Sequence, residues 1–199
     1  MSDKSSIHVY FNWAKERIDE MDAALASFER QSSQLQGDAR AKAQAVLTKM
    51  REKRDDFQQI MKKQAQASED SWIGAKTKLE ADWNIFETEV QKYLDAVGTR
   101  MEQQNATFRA RADAQMKAWQ EWTDKIHDAA KGYSAEQRVK VEDVVRQMRA
   151  DAEVARAKLN KLSGAGTESW SALNSALSET RAAFDRAGQA AQEAFKRVG

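Results

Sequence analysis

The chain of 199 residues contains no proline and no cysteine, and its 32 lysines and arginines are balanced by 31 aspartates and glutamates. The missing proline favours long uninterrupted helices, and the missing cysteine excludes disulfides and thiolate chemistry. Charges of both signs alternate along the chain, which argues against a nucleic-acid partner, because DNA and RNA are bound by concentrated basic surfaces.

The first half of the chain predicts three helical segments. In the first and third segments the apolar residues recur at alternating steps of three and four, whereas the second is less regular and Arg54 interrupts one candidate seam. The alternating spacing is the seam of a helix that packs along other helices. The first segment ends near Gly37, and Asp38 is the predicted N-cap of the second. Residues 66–71 either break the chain into two helices or only bend one long helix. The seam of the third segment includes Trp72, Leu79 and Phe86.

The second half predicts three further segments of the same kind. Gly98 and Thr99 mark its start, and Gly132 with Ser134 separates the fourth segment from the fifth. The last helix follows a glycine-rich break, and Thr167 is its predicted N-cap. The seams of the fourth and sixth segments include Trp119, Trp122, Trp170, Leu177 and Phe184.

A long-range similarity relates the two halves. When the sequence is shifted by 98 residues, residues 38–97 fall on 136–195, and 13 of the 60 pairs are identical. Either a helical unit is duplicated, which we favour, or two amphipathic helices align at a heptad offset. We predict an all-α fold of long antiparallel helices in a coiled-coil-like bundle, with a first unit at 1–98 and a second at 99–199.

Two features of the seams have both a structural and a functional interpretation. Asn105 and Gln115 interrupt an apolar seam, where a polar residue either fixes the helix register or lies at the water-exposed edge. We favour the exposed edge. The six tryptophans, among them Trp13 and Trp83 beside the seams, fill the core or else form a ligand pocket or interfacial anchor. Their heptad spacing favours the core.

The residues that carry catalysis in other proteins are sparse. The two histidines, His8 and His127, lie far apart, and only Asp124 stands three residues before one of them. A di-iron bundle needs two such pairs and further carboxylates. We find no glycine-rich phosphate loop and no nucleophile motif. The abundant carboxylates are interpreted as solvated helix faces. We therefore expect no catalytic residues, no metal and no cofactor.

The distribution of apolar residues predicts a location. No stretch approaches the roughly 20 apolar residues of a membrane span. The N-terminal residues also lack an apolar run of signal-peptide length. We expect a soluble cytoplasmic protein without a transmembrane segment.

The C-terminal sequence resembles that of a known group of proteins. Residues 168–173, 183–187 and 194–197 are similar to the end of small bacterial coiled-coil proteins labelled stress-response or uncharacterised, over about 30 residues. The composition is more loosely similar to phasins and apolipoprotein-like bundles. The first resemblance implies a non-catalytic scaffold that associates with itself or with another helical protein. The second implies an amphipathic protein that coats lipid or polymer granules.

Overall fold

The computed structural model describes residues 9–65, 67–97 and 100–198, and these form helices and no strand. The predicted all-α class is confirmed. The longest helix has 31 residues, about 46 Å at ~1.5 Å per residue. The helices within the described residues are α1 (Val9–Ser32), α2 (Gly37–Gln64), α3 (Glu69–Val97), α4 (Met101–Ala130), α5 (Ala135–Ala165) and α6 (Trp170–Val198).

The break between α1 and α2 lies where it was predicted, but its capping differs. Gly37 opens α2 with a φ of 57°, a left-handed conformation that favours glycine. Asp38 therefore lies in the first turn of α2, and the prediction that it is the N-cap is wrong. The question left open at residues 66–71 is resolved, because α2 and α3 are two separate helices.

The breaks on either side of α5 follow its sequence closely. Ser134 caps α5 in a reciprocal arrangement with Gln137, in which each side chain binds the other residue's backbone N–H. Gly166 ends α5 with a φ of 67°. The predicted cap at Thr167 is wrong: α6 begins later, and the Oγ of Ser169 accepts from the backbone N–H of Ala172 at 3.3 Å.

The helices pack side by side in an antiparallel bundle, in which the most extensive contact of α1 is with α4. α1 packs on α2 and α3, α4 packs on α5 and α6, and α1 lies along α4 and also touches α6. Along α1 and α4 the contacts run in opposite directions: Lys15 binds Glu121, and Ser27 binds Thr107. α1 is thus covered by four other helices.

One helix start agrees with the 98-residue shift, whereas the other bounds of α5 and α6 differ from the shifted bounds of α2 and α3 by three residues. The start of α2 at residue 37 corresponds to residue 37 + 98 = 135, where α5 begins. The internal duplication itself stays a prediction. The predicted boundary between the two units, at 98 and 99, lies outside the described residues.

Most residues of the predicted seams form the core. Most seam side chains of α1, α3, α4 and α6 are buried, whereas Ala75, Val97 and Ala129 are half-buried. Met101, which the periodicity places in the fourth seam, is instead 52% exposed at the start of α4. Over the described residues, no helix combines the length and apolar character that crossing a bilayer requires.

Candidate functional site

Charged side chains are buried where α1, α3, α4 and α6 meet. Glu16 and Glu20 on α1 are 1% and 0% exposed, so the interpretation of the carboxylates as solvated faces is wrong for both. The cluster is called the buried ion network below. Its members are Glu16, Arg17 and Glu20 of α1, Glu87 of α3, Arg111 and Gln115 of α4, and Arg181 and Asp185 of α6.

Glu20 is the centre of this network. Its Oε1 accepts from the Nε of Arg111 at 2.7 Å and from the Nη1 of Arg181 at 2.6 Å. Its Oε2 accepts from the Nε2 of Gln115 at 2.9 Å. Burial raises the pKa of the Glu20 carboxyl, but Arg181 and Arg111 more than offset this, and the pKa lies below its usual value. Glu20 is therefore held as a carboxylate that joins α1, α4 and α6.

The polar residues of the α4 seam face inward. The Nε2 of Gln115 also donates to the backbone oxygen of Leu177 at 3.1 Å, and the Nδ2 of Asn105 donates to the backbone oxygen of Gly166 at 3.1 Å. Both side chains are buried, so their predicted position at a water-exposed edge is wrong. Each amide binds one backbone carbonyl of the α5–α6 segment, which fixes the register of α4 against it.

Glu16 is bound less completely. Its Oε2 accepts from the Nη1 of Arg17 at 2.6 Å, but its Oε1 has no hydrogen-bond partner. Arg17 is also engaged with Asp185 through two hydrogen bonds of 3.0 and 2.8 Å. Burial raises the pKa of the Glu16 carboxyl to about 7; Arg17 opposes this shift, whereas Glu20 adds to it.

The indole of Trp83 is surrounded by the arginines of the network. The guanidinium carbon of Arg181 lies 5.0 Å from the ring centroid, and those of Arg17 and Arg111 each lie 5.9 Å away. A cation is attracted to an aromatic face at these distances. Trp83, predicted beside the seam, is therefore a core residue that contacts three cations.

The predicted seam residues fall into two apolar clusters, which flank the network. Trp119 and Trp122 pack around Phe184, with ring centroids 5.6 and 5.0 Å apart. They belong to the cluster formed mainly by α4, α5 and α6. The larger cluster holds Trp72, Leu79, Phe86, Trp170 and Leu177.

Open grooves flank α5, because small residues line its contacts. One groove of about 520 Å³ lies between α5 and α6, with Val154 and Ala183 on its walls. Another of about 600 Å³ lies between α4 and α5, beside Trp119 and Ala152. Their rims carry charges of both signs: Asp151, Lys158, Glu179 and Arg186 at the first groove, and Asp124, Arg149, Glu153 and Arg156 at the second.

The network is suited to holding helices together. Its arginines and carboxylates bind one another across four helices, and this arrangement fixes the register of the helices. The described residues contain no group of three or more histidine, aspartate and glutamate side chains that could hold a metal ion.

Sequence reasoning missed the network because its members are far apart in the chain. Arg111 and Glu20 are 91 residues apart, and Arg181 and Glu20 are 161 apart. One local signal was present: Gln115 is a polar residue in the seam of α4, and its side chain is buried. A polar seam residue needs a partner at the same level of the bundle.

Comparisons of the chain with protein-family models, with curated proteins and with solved structures find no match. The resemblance of the C-terminal residues to small bacterial coiled-coil proteins stays a prediction, as does the looser similarity to phasins and apolipoprotein-like bundles.

Proposed function

We propose that the protein is a non-catalytic helical scaffold that acts through helix–helix contacts with further copies of itself or with another helical protein. One observation carries the proposal: the seam side chains are buried within a single chain, whereas large apolar residues on the outer side of α5 are exposed to solvent. Val139 and Val154 on α5 are 58% and 72% exposed. They are 15 residues apart, which places them within about 60° of each other around the helix.

The grooves beside α5 match the chemistry of a partner helix. Each has an apolar floor and a rim of both charge signs, the arrangement that flanks the seam of a coiled coil. The chain itself has helices of this composition, with mixed charges and narrow apolar seams. A second copy therefore offers a surface of suitable chemistry.

Sedimentation at several concentrations tests the scaffold function. The native protein should associate in the micromolar range. The double variant Val139→Ser/Val154→Ser should associate at least tenfold more weakly, since burying each valine contributes about 1.5 kcal/mol. The matched control is Ile73→Ser/Ile85→Ser, which removes two exposed apolar residues from α3 and should leave association unchanged. A native protein that remains monomeric and binds no helical partner contradicts the proposal.

The second candidate function is that of an amphipathic protein whose helices separate and bind a lipid or polymer-granule surface. The observation that favours it is that α5 lies over the aromatic cluster with open grooves on both of its sides and buries Val141, Val145, Met148, Ala155 and Leu159. Displacing α5 would uncover the aromatic cluster of Trp119, Trp122 and Phe184, and amphipathic helices bind lipid through such buried apolar area. The net charge of +1 adds little attraction to anionic lipid.

A cross-link across α5 and α6 tests this second function. The chain has no cysteine, so Lys158→Cys/Glu179→Cys can be joined by a short bis-maleimide at the position of a native ion pair. Zwitterionic or mixed anionic vesicles should shift the tryptophan fluorescence of the uncross-linked double variant to the blue and leave that of the cross-linked protein unchanged. If the uncross-linked protein neither shifts nor floats with vesicles, the surface function fails.

A further inference from the structure

The buried ion network contains more acids than bases. Its cations are Arg17, Arg111 and Arg181, and its carboxyl groups are Glu16, Glu20, Glu87 and Asp185. Three positive charges therefore face four negative ones when every group is ionised. One proton on one carboxyl makes the network neutral. A buried net charge is costly because it has lost its hydration.

Glu16 is the carboxyl best placed to hold that proton. Glu87 and Asp185 are partly exposed, with 19% and 31% of their side chains in water, so solvent can offset their charge. Glu20 is fully buried but receives hydrogen bonds from two arginines and a glutamine. Glu16 is 1% exposed, and one of its oxygens has no partner.

The groups that face Glu16 come from several helices. Arg17 and Glu20 lie beside it on α1, and Arg181 and Asp185 approach from α6. Further charges meet it through these neighbours. Arg111 of α4 binds the same carboxylate, Glu20, as Arg181 does, and Glu87 of α3 binds Arg111. The ion pairs between α2 and α1 lie farther along α1, at Arg51–Glu29 and Arg54–Asp22.

We propose that Glu16 is a proton-binding site, protonated in the folded protein, and that loss of this proton loosens the contact between α1 and α6, so that the packing of these two helices depends on pH. The neutral acid keeps its hydrogen bond from Arg17 without placing a fourth negative charge in the core. The ionised form leaves an oxygen uncompensated at the point where α1 meets Arg181 and Asp185. Burial, which raises the pKa of Glu16 to about 7 from 4.5, supports this assignment.

The sign of the pH dependence follows from the raised pKa. Below pH 4.5, folded and unfolded chains both hold the proton. Between pH 4.5 and about 7, the folded chain holds it and the unfolded chain does not, so stability falls as the pH rises through this window. Above about pH 7, the loss of stability is complete and does not change further with pH. The unfolding equilibrium constant should thus rise about 70-fold between pH 5 and pH 8.

Carboxyl ¹³C NMR of the native protein tests the protonation directly, with the Glu16 carboxyl resonance assigned through its bonds to the assigned backbone of the native protein. A midpoint near 7 is expected. A midpoint at or below the ordinary glutamate value overturns the proposal, and this measurement holds even where the Glu16→Gln variant does not fold.

Urea unfolding from pH 5 to pH 8 and hydrogen exchange test the coupling. The native protein and the matched control Glu29→Gln, which removes an exposed carboxyl of α1, should show the same loss of stability as the pH rises. Glu16→Gln, which imitates the neutral acid, should lose most of this dependence. In the native protein, pH-corrected amide protection in residues 12–20 and 181–188 should fall more than in α2. An unchanged pH dependence in Glu16→Gln, or a uniform change in protection, overturns the coupling.

Discussion

The backbone of Gly188 in α6 runs directly over the indole ring of Trp122 in α4. A methyl group built on Gly188 would overlap Cη2 and Cζ3 of that ring and would lie 3.0 Å from Cγ2 of Val9. The glycine therefore lets α6 approach the aromatic cluster more closely than any side chain would permit. Trp122 is itself nearly fully buried, so its ring has little space into which to move.

We predict that Gly188→Ala destabilises the protein by about 1–3 kcal/mol, because the added methyl group overpacks the contact with Trp122. The matched control is Gly74→Ala in α3, where nothing lies within 4 Å of the new methyl group. This control should stabilise by about 0.5–1 kcal/mol through helix propensity. Urea unfolding of both variants at one pH measures the difference, and a stabilised Gly188→Ala would show that α6 is not held against Trp122.

We predict that Arg111→Met destabilises the protein by about 3–5 kcal/mol, because it removes a fully buried cation from both Glu20 and Glu87. The control Arg51→Met breaks the exposed pair with Glu29 and should cost less than about 1 kcal/mol. Denaturant unfolding distinguishes the two. Similar losses for both variants would mean that the buried pairs contribute no more than a surface pair.

The acid limb of the stability profile should depend on Glu20. Since the folded pKa of Glu20 is lowered, its stabilisation is present above pH 4.5 and is lost as the pH falls below that value. Glu20→Gln should therefore be much less stable than the native protein at neutral pH, and the gap should narrow in acid. The free energy of unfolding from pH 7 to pH 3 measures this gap, with Glu80→Gln as an exposed control. A gap that stays constant with pH would contradict an ionised Glu20.

Tyr93 should govern the alkaline limb. Its hydroxyl donates to the backbone oxygen of Phe28 at 2.8 Å, and burial raises its pKa from 10.0 to about 12. Stability should fall as the pH rises from 10 to 12, because the unfolded chain releases the proton first. Tyr93→Phe should cost about 1 kcal/mol at neutral pH and should lack this alkaline loss. The free energy of unfolding, measured at several alkaline pH values, tests this prediction, with Tyr133→Phe as the control. Equal decreases of this free energy with pH in the two variants would contradict the prediction.

The all-α class, the approximate bounds of the helices and most of the core could be read from local sequence. The absence of proline and the three-four spacing from Trp170 through Phe184 indicate helices through the geometry of a single helix. This inference needs no knowledge of the neighbouring helices. Capping was less predictable. Thr167 and Ser169 are both good capping residues, and only the position of α6 in the bundle decides between them.

The candidate site could not be predicted in this way, because local periodicity assumes that a helix has one buried face. α1 contacts four helices, so the side that carries Glu16, Arg17 and Glu20 is covered as well as its apolar seam. Charged residues beside a seam have the same sequence pattern whether that side meets water or another helix.

The sequence alone thus determined which segments are helical and which apolar face each would bury, since both depend on contacts a few residues apart. Only the tertiary structure decided which helices meet. It placed Glu20 between Arg111 and Arg181, left Glu16 with one unpaired oxygen, and set Gly188 against Trp122. The residues that these contacts join are at least 66 positions apart in the chain, as Trp122 and Gly188 are, and the contacts depend on how the helices pack together.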